Sequence, residues 1–362
     1  MKGSGVVVPS PAGRRAGTPP RLPVPRSPLP RLALLFLVVL AVAVADVVAG
    51  RAVTPAGVWE VLLGGGDALD RHVVLNLRVP RMLVALVAGA CLAVAGLLLQ
   101  SALRNPLAGP EVTGVTPGAV LGAVVATGFG LADRQSPLAV VIAACLGGLF
   151  GAGLLWVLTG RRRDDPTETA VHGVLVSAVL GGLTAMVLLV APGELGSVVQ
   201  WLIGTTDGRV WQHWNLLWPW ALCWGIAAWL LAGPLTLLRC GEEQAAEAGL
   251  DTGRARGAAL LCAVALAAGA VSTVGALGFV GLLVPHLALA LFGADLRITV
   301  PGAALAGAAV VGGADALAQV GGRALAVLWD ADRLTLPVGA LTTALGAALL
   351  LVVVRRSPTR DF

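Results

Sequence analysis

The stretch RVPRMLVALVAGACLAVAGLLLQSALRNPLAGPEVTGVTPGAVLGA, residues 78–123, decides the fold. From Met82 to Ala102 it carries no charge. That run is long enough to cross a hydrocarbon layer, which takes about 20 apolar residues in a helix. The segment Leu103-Arg104-Asn105-Pro106-Leu107-Ala108-Gly109-Pro110 then breaks the run with two prolines and a glycine, the makings of a rigid turn. Gln100 and Asn105 are placed to satisfy backbone groups freed by the break. An apolar run resumes at 113.

The same pattern repeats outward. Apolar runs lie at 32–50, 82–102, 113–131, 137–159, 170–191, 211–233, 257–277, 279–293, 299–320 and 335–354. The chain of 362 residues is 57% hydrophobic and 12% charged, half the charge of about 25% usual in soluble domains. Helices apolar on every side are what lipid requires. The expectation is an all-α membrane protein with about ten transmembrane helices in one domain, residues 32–355.

Residues 1–31 hold eight prolines and six basic residues and no acid, a composition that cannot bury enough apolar surface to order itself. They are expected to form a disordered cytoplasmic tail, with 356–362 a second, C-terminal one. Arg14-Arg15 and Ala41-Val42-Ala43 have the look of a signal peptide, but the apolar run reaches about Gly50, near spanning length. With the N-terminus inside, 17 Lys and Arg fall on the inner side and 8 on the outer, the bias that sets orientation. Both termini are then cytoplasmic. The stretch 194–204 is expected as a short helix on the outer surface. Trp201, Trp211, Trp214, Trp218 and Trp220 read as an interfacial aromatic belt. Gly118/Gly122 and Gly147/Gly151, each pair four apart, read as seams where helix backbones approach.

Several activities are disfavoured. Lys2 is the one lysine, so no Walker A loop can form. No HExxH or GxSxG occurs, and Gly64-Gly65-Gly66-Asp67 falls in a connection. No catalytic residue and no metal site is expected. The five cysteines contain no CxxC pair and read as small packing residues. Few acids lie within the spans, Asp46 and Asp315 among them, where an ion-coupled transporter usually shows paired charges.

Three further segments invite a role. Arg78 and Arg81 open the second span on the outer side, where two positive charges oppose the helix dipole. They either snorkel to headgroups or offer a docking surface for carboxylates. Gly241–Leu250, GEEQAAEAGL, has acids at a helix start and a glycine at its stop. It is an ordinary loop or a lever for a neighbouring protein. In Gly275–His286, glycines permit a tight turn, Pro285 kinks the eighth helix, and His286 reads as packed or backbone-bonded.

Taken together, 78–123, QWLIGTTDGRVW (200–211), GEEQAAEAGL (241–250), GALGFVGLLVPHLA (275–288) and LPVGALTTALGA (336–347) resemble the FecCD/BtuC-like permeases of type II ABC importers. The resemblance runs from about 32 to 355. It implies a ten-helix permease in the plasma membrane of a bacterium, paired with a second permease as a homo- or heterodimer. Two cytoplasmic subunits would bind ATP and Mg, with no cofactor in this chain, and an extracytoplasmic binding protein would deliver a ferric siderophore, or cobalamin or haem. Nucleic acid has no place in it. It also implies that Glu242, Glu243, Ala246, Gly249 and Leu250 couple to the ATPase. Arg78 and Arg81 would meet the binding protein, and Asn105, Pro106, Gly278, Gly281, Pro285 and His286 belong to its structural motifs. The family's third docking arginine is Gln319 here, with Arg323 one turn later as its substitute. Leu289 stands where an arginine is usual.

Overall fold

The computed structural model describes residues 27–50, 52–131, 137–160, 166–190, 202–329 and 335–356. Among them every regular element is helical. They are α1 (Leu29–Val48), α2 (Pro55–Leu62), α3 (Ala68–His72), a π-helical turn (Val73–Arg78), α4 (Val79–Leu103), α5 (Val115–Gly128), α6 (Pro137–Thr159) and α7 (Pro166–Val190). After these come α8 (Trp211–Cys240), α9 (Glu242–Glu247), α10 (Thr252–Val274), α11 (Val280–Phe292), α12 (Leu296–Leu328) and α13 (Val338–Arg356). Seven helices are long and apolar enough to cross a membrane. Three more apolar helices are shorter: Val115–Gly128, Val280–Phe292 and Val338–Ala348. Most of the N-terminal tail, most of 194–204 and the last six residues lie outside the described residues.

The helices start where the chemistry allows. Asp67, Asp251 and Asp295 cap α3, α10 and α12 through their carboxylates, and the Thr54 hydroxyl caps α2. Each supplies an acceptor to an amide that a helix end leaves without a partner. Asp67 of the Gly64–Asp67 segment is thereby used as a cap.

Burial orders the bundle. The most apolar windows of α4 and α10 are 72% and 78% buried, against 17% for α1. α4 packs on α8, α10, α11 and α12, while α5 packs on α6 and α7. Phe36, Leu37, Val174, Leu189 and Leu230 are exposed on α1, α7 and α8. So much continuous apolar surface belongs in hydrocarbon.

In lipid, helices gain little from apolar burial and associate by close packing. The glycines allow it. A β-carbon at Gly96 would collide with the carbonyl of Gly281, and one at Gly89 with that of Gly307. These two contacts bring α11 and α12 onto the backbone of α4. Between α5 and α6 the seam runs through Gly118 against Gly147, with Gly122 on Ala143 and Gly151 on Gly114, as the four-residue spacing implies.

The second span differs from expectation. Arg78 and Arg81 do not open it: the helical segment is continuous from Ala68 to Leu103, so the arginines lie inside it and the dipole conflict disappears. The π-helical turn explains Pro80. In that register Val79 donates to Val74, five residues back. Pro80 has no N–H to continue the pattern, which leaves the Leu75 carbonyl free. The Trp211 indole N–H takes it at 3.0 Å. Trp220 also turns inward, donating to the Ala265 carbonyl at 2.8 Å, while Trp218 stays exposed.

Gly96→Ala is expected to destabilise the purified protein by about 1–3 kcal/mol or more through overpacking. Gly181→Ala on α7, where an added β-carbon meets nothing within 4 Å, is expected to be neutral or stabilising by about 0.5–1 kcal/mol. Thermal unfolding of both variants in detergent checks the contrast.

Candidate functional site

Polar groups gather at the two ends of α4. At its first end, Arg81 forms a two-pronged ion pair with Asp315 of α12, Nε to Oδ2 at 3.0 Å and Nη2 to Oδ1 at 2.7 Å. Its third nitrogen, Nη1, reaches Asp207 Oδ1 at 2.9 Å. The Asp315 side chain is 0% exposed and that of Arg81 19%. The Thr206 hydroxyl donates to Asp315 Oδ1 at 2.6 Å. Such planar pairing suits arginine and not lysine.

The segment that brings Thr206 and Asp207 is pinned by its backbone. Thr205 N donates to the Val274 carbonyl at 2.8 Å, and Gly339 N to that of Gly204 at 3.0 Å. Asp207 N is met by the Thr205 hydroxyl at 3.1 Å. The ends of α10 and α13 thus hold this segment against α4 and α12.

Arg78 is buried and donates to the Val47 and Val53 carbonyls at 2.9 and 3.2 Å. Arg323 donates to the Gly50 carbonyl. Gln319 donates to the carboxylate of Asp46 on α1. The three arginines picked out in the sequence are thus gathered at one end and each is engaged within the chain. Of the two acids named within the spans, Asp315 is ion-paired with Arg81, whereas Asp46 is met by the neutral Gln319. Thr206, Asp207 and Arg209 lie in the stretch 200–211 that carries the resemblance, but no role is assigned to them from sequence. Asp315 was the available clue, because a carboxylate inside a span needs a partner.

Beside this network lies a cavity of about 510 Å³. Arg78, Arg81, Arg209, Asp207 and Gln319 supply its polar wall. Arg209 leaves its Nε buried without a hydrogen bond. Burial lowers its guanidinium to about 10, opposed by the charge of Asp207, and it stays positive at neutral pH. The cavity presents more positive than negative charge to whatever enters.

At the opposite end of α4, the chain reverses through Arg104 and Asn105. The buried Asn105 carboxamide oxygen accepts from Leu107 N at 2.9 Å, an Asx turn that leads through Pro106 into the connection. Gln100 Nε2 donates to the Leu282 carbonyl at 3.0 Å, which His286 Nδ1 also contacts at 2.8 Å. His286 is therefore backbone-bonded, beside Pro285 in α11. Gly281 packs against Pro110, and Gly278 against Thr343.

α9 lies at this end. Leu250 N donates to the Ala245 carbonyl at 3.0 Å and Gly249 N to that of Ala246 at 2.9 Å. This is a Schellman stop, and it requires the positive φ of +82° at Gly249. Glu242 is turned inward. Its Oε2 meets Arg256 Nη2 at 3.1 Å, and Arg256 Nε donates to the Ala102 carbonyl at the end of α4 at 3.1 Å. Glu243, Ala246 and Glu247 form the exposed face. The five coupling candidates divide accordingly: Glu242 anchors the helix, Glu243 and Ala246 face out, and Gly249 and Leu250 end it.

Glu111, in the connection between α4 and α5, has no hydrogen-bond partner for either carboxyl oxygen. Burial raises it to about 7, against the pull of the backbone amides of Glu111 and Gly281.

Polar machinery at both ends, with apolar packing between them, is the layout of a multi-pass membrane transport subunit. The chain is 33% identical over 304 residues to the Fe(3+)-citrate import system permease protein YfmE of Bacillus subtilis, across 84% of this chain and 87% of the relative. The cobalamin import system permease protein BtuC of Halobacterium salinarum is 33% identical over 293 residues, covering 80% and 74%. A solved metal-chelate type ABC transporter in an inward-facing conformation superposes with a TM-score of 0.74 at 27% identity, across 91% of this chain and 100% of that one. The FecCD transport family model matches residues 32–356. The chain belongs to the FecCD transport family and is a permease subunit of a metal-chelate, siderophore or cobalamin type ABC importer.

Arg81→Gln leaves Asp315 buried and unpaired, which is expected to cost about 3–5 kcal/mol. Adding Asp315→Leu to an Arg81→Met background is expected to recover most of that loss, measured by unfolding in detergent. Glu111 holds its proton more tightly folded than unfolded, where its value is 4.5. Its contribution is present below pH 4.5 and lost as pH rises to about 7. Glu111→Gln is therefore expected to raise thermal stability at pH 8 and to leave it unchanged at pH 4, read from melting curves at both values.

Proposed function

We propose that this chain carries a ferric siderophore across a bacterial plasma membrane, as one of two permease subunits that line the pathway. It crosses the membrane about ten times with both termini inside, so that the Arg81 end faces out and α9 faces the cytoplasm. Two separate subunits bind ATP and Mg and drive it, and an extracytoplasmic protein delivers the chelate. Arginine excess on the inner side supports the orientation.

The observation that carries this reading is α9. A short surface helix with an exposed Glu243–Ala246–Glu247 face, anchored through Glu242 and Arg256 to the end of α4, is built to pass a push from a neighbouring protein into the bundle. ATP binding closes the ATPases and moves α9. The pathway between paired permeases then switches its opening, by preferring one of two packings. At the other end, the arginine-lined cavity suits carboxylates, whether of a delivery protein or of an anionic chelate. Iron-citrate import by a relative supports the cargo. Cobalamin is the second reading, favoured by a cobalamin permease at the same identity; haem shares the architecture.

The test is uptake of labelled ferric siderophore, cobalamin and haem by a strain lacking this gene, with and without its restoration. Iron-chelate uptake is expected to fall and to return with the intact gene. A Glu243→Ala, Glu247→Ala variant, which changes only the exposed face of α9, is expected to reach the membrane and restore less than a tenth of it. Loss of cobalamin or haem uptake alone would replace the cargo, and full rescue by the variant would remove α9 from the mechanism.

A further inference from the structure

A second cavity, of about 370 Å³, lies at the α9 end of the bundle. That volume is at the lower end of small-ligand sites, about 300–1,000 Å³. Leu99, Leu155 and Leu260 are among its apolar walls, and Arg104, Arg256 and Thr169 are among its polar ones. It borders the exposed apolar side of α6, where Val157 and Leu158 face out.

The polar groups are not equivalent. Two other lining threonines have spent their hydroxyls: Thr159 donates to the Leu155 carbonyl at 2.7 Å and Thr113 to that of Gly109 at 2.8 Å. Arg256 is held by Glu242 and the Ala102 carbonyl. Thr169 is different. It is 7% exposed, and its hydroxyl has no hydrogen-bond partner. A buried hydroxyl left unpaired costs about 1–3 kcal/mol, so an acceptor entering the cavity beside Thr169 would relieve that cost. Arg104 is exposed and makes no ion pair among the described residues. Thr169 also stands in the first turn of α7, where the helix dipole favours negative charge. The neighbouring Glu168 does not line the cavity.

We infer that this cavity binds an acidic phospholipid, with the phosphate between Arg104 and the Thr169 hydroxyl and the start of an acyl chain along the leucine wall. The apolar wall decides the occupant. A free anion or an acidic peptide would satisfy Arg104 and Thr169 but would leave the leucines unused, whereas a lipid matches both halves of the site and would lie along the exposed apolar side of α6. Basic pockets between membrane helices take acidic headgroups for the same electrostatic reason. The site adjoins Arg256, so its occupant would sit next to the Glu242 anchor of α9.

The full-length protein, purified with the subunits that accompany it and stripped of lipid, is titrated with dioleoylphosphatidylglycerol or dioleoylphosphatidylcholine and read by native mass spectrometry. Phosphatidylglycerol is expected to bind at least about fivefold more tightly, and Arg104→Gln to weaken it about fivefold, the effect of one basic residue near an acidic headgroup. Thr169→Val and the cavity-filling Ala152→Leu are expected to weaken it as well and to leave phosphatidylcholine unchanged. Equal binding of the two lipids by the unaltered protein overturns the inference without any variant. So does phosphatidylglycerol binding that Arg104→Gln and Ala152→Leu both leave intact. Displacement of the lipid by an equal concentration of inorganic phosphate would reduce the site to one for a free anion and overturn it too.

Discussion

The bare backbone of α4 at Gly89 and Gly96 is the constraint on which the bundle depends. Hydrocarbon offers no apolar driving force between helices, so association has to come from contact at close range. Where Gly96 meets the Gly281 carbonyl and Gly89 that of Gly307, α11 and α12 come nearer to α4 than any side chain would allow. That approach also places Asp315 of α12 within reach of Arg81. A wider spacing would leave the aspartate buried with no cation.

α4 is consequently a shared strut. One end holds the ion pair that ties α12 and the Thr205–Asp207 segment together. The other end is gripped, through the Ala102 carbonyl, by Arg256 and so by Glu242 of α9. A displacement of α9 has a direct route of hydrogen bonds into the most buried part of the bundle. The route is physical contact along one rigid helix.

Much of this architecture was legible in the sequence. Charge-free runs of spanning length, the Asn105–Pro106 break, the Gly118 and Gly147 seams and the glycine stop of α9 each follow from local chemistry. The coupling candidates were legible as a set but not in their division of labour, because only the fold brings Arg256 back to Glu242. Arg78 and Arg81 were placed at a helix start, since no local signal announces that Val73–Arg78 continues the helix in a π register. Residues of three separate elements form the network around Arg81, and Asp207 sits in a connection with nothing local to mark it as a partner of Arg81. Pattern along the chain reads helices and turns; it does not read pairs far apart.

The π-helical turn ahead of Pro80 has a consequence for how this segment tolerates change in length. A π turn stores one residue more than an α-helical turn of the same axial reach. Loss of Asn76, Leu77 or Arg78 would restore ordinary winding and leave the helix on either side in register, because the wide turn absorbs that one residue. Leu75 would then stand four residues before Pro80, so its carbonyl would still lack an N–H partner and the Trp211 indole would keep its acceptor. Relatives that keep Pro80 should therefore keep a hydrogen-bond donor at the position of Trp211, whatever the length of this turn.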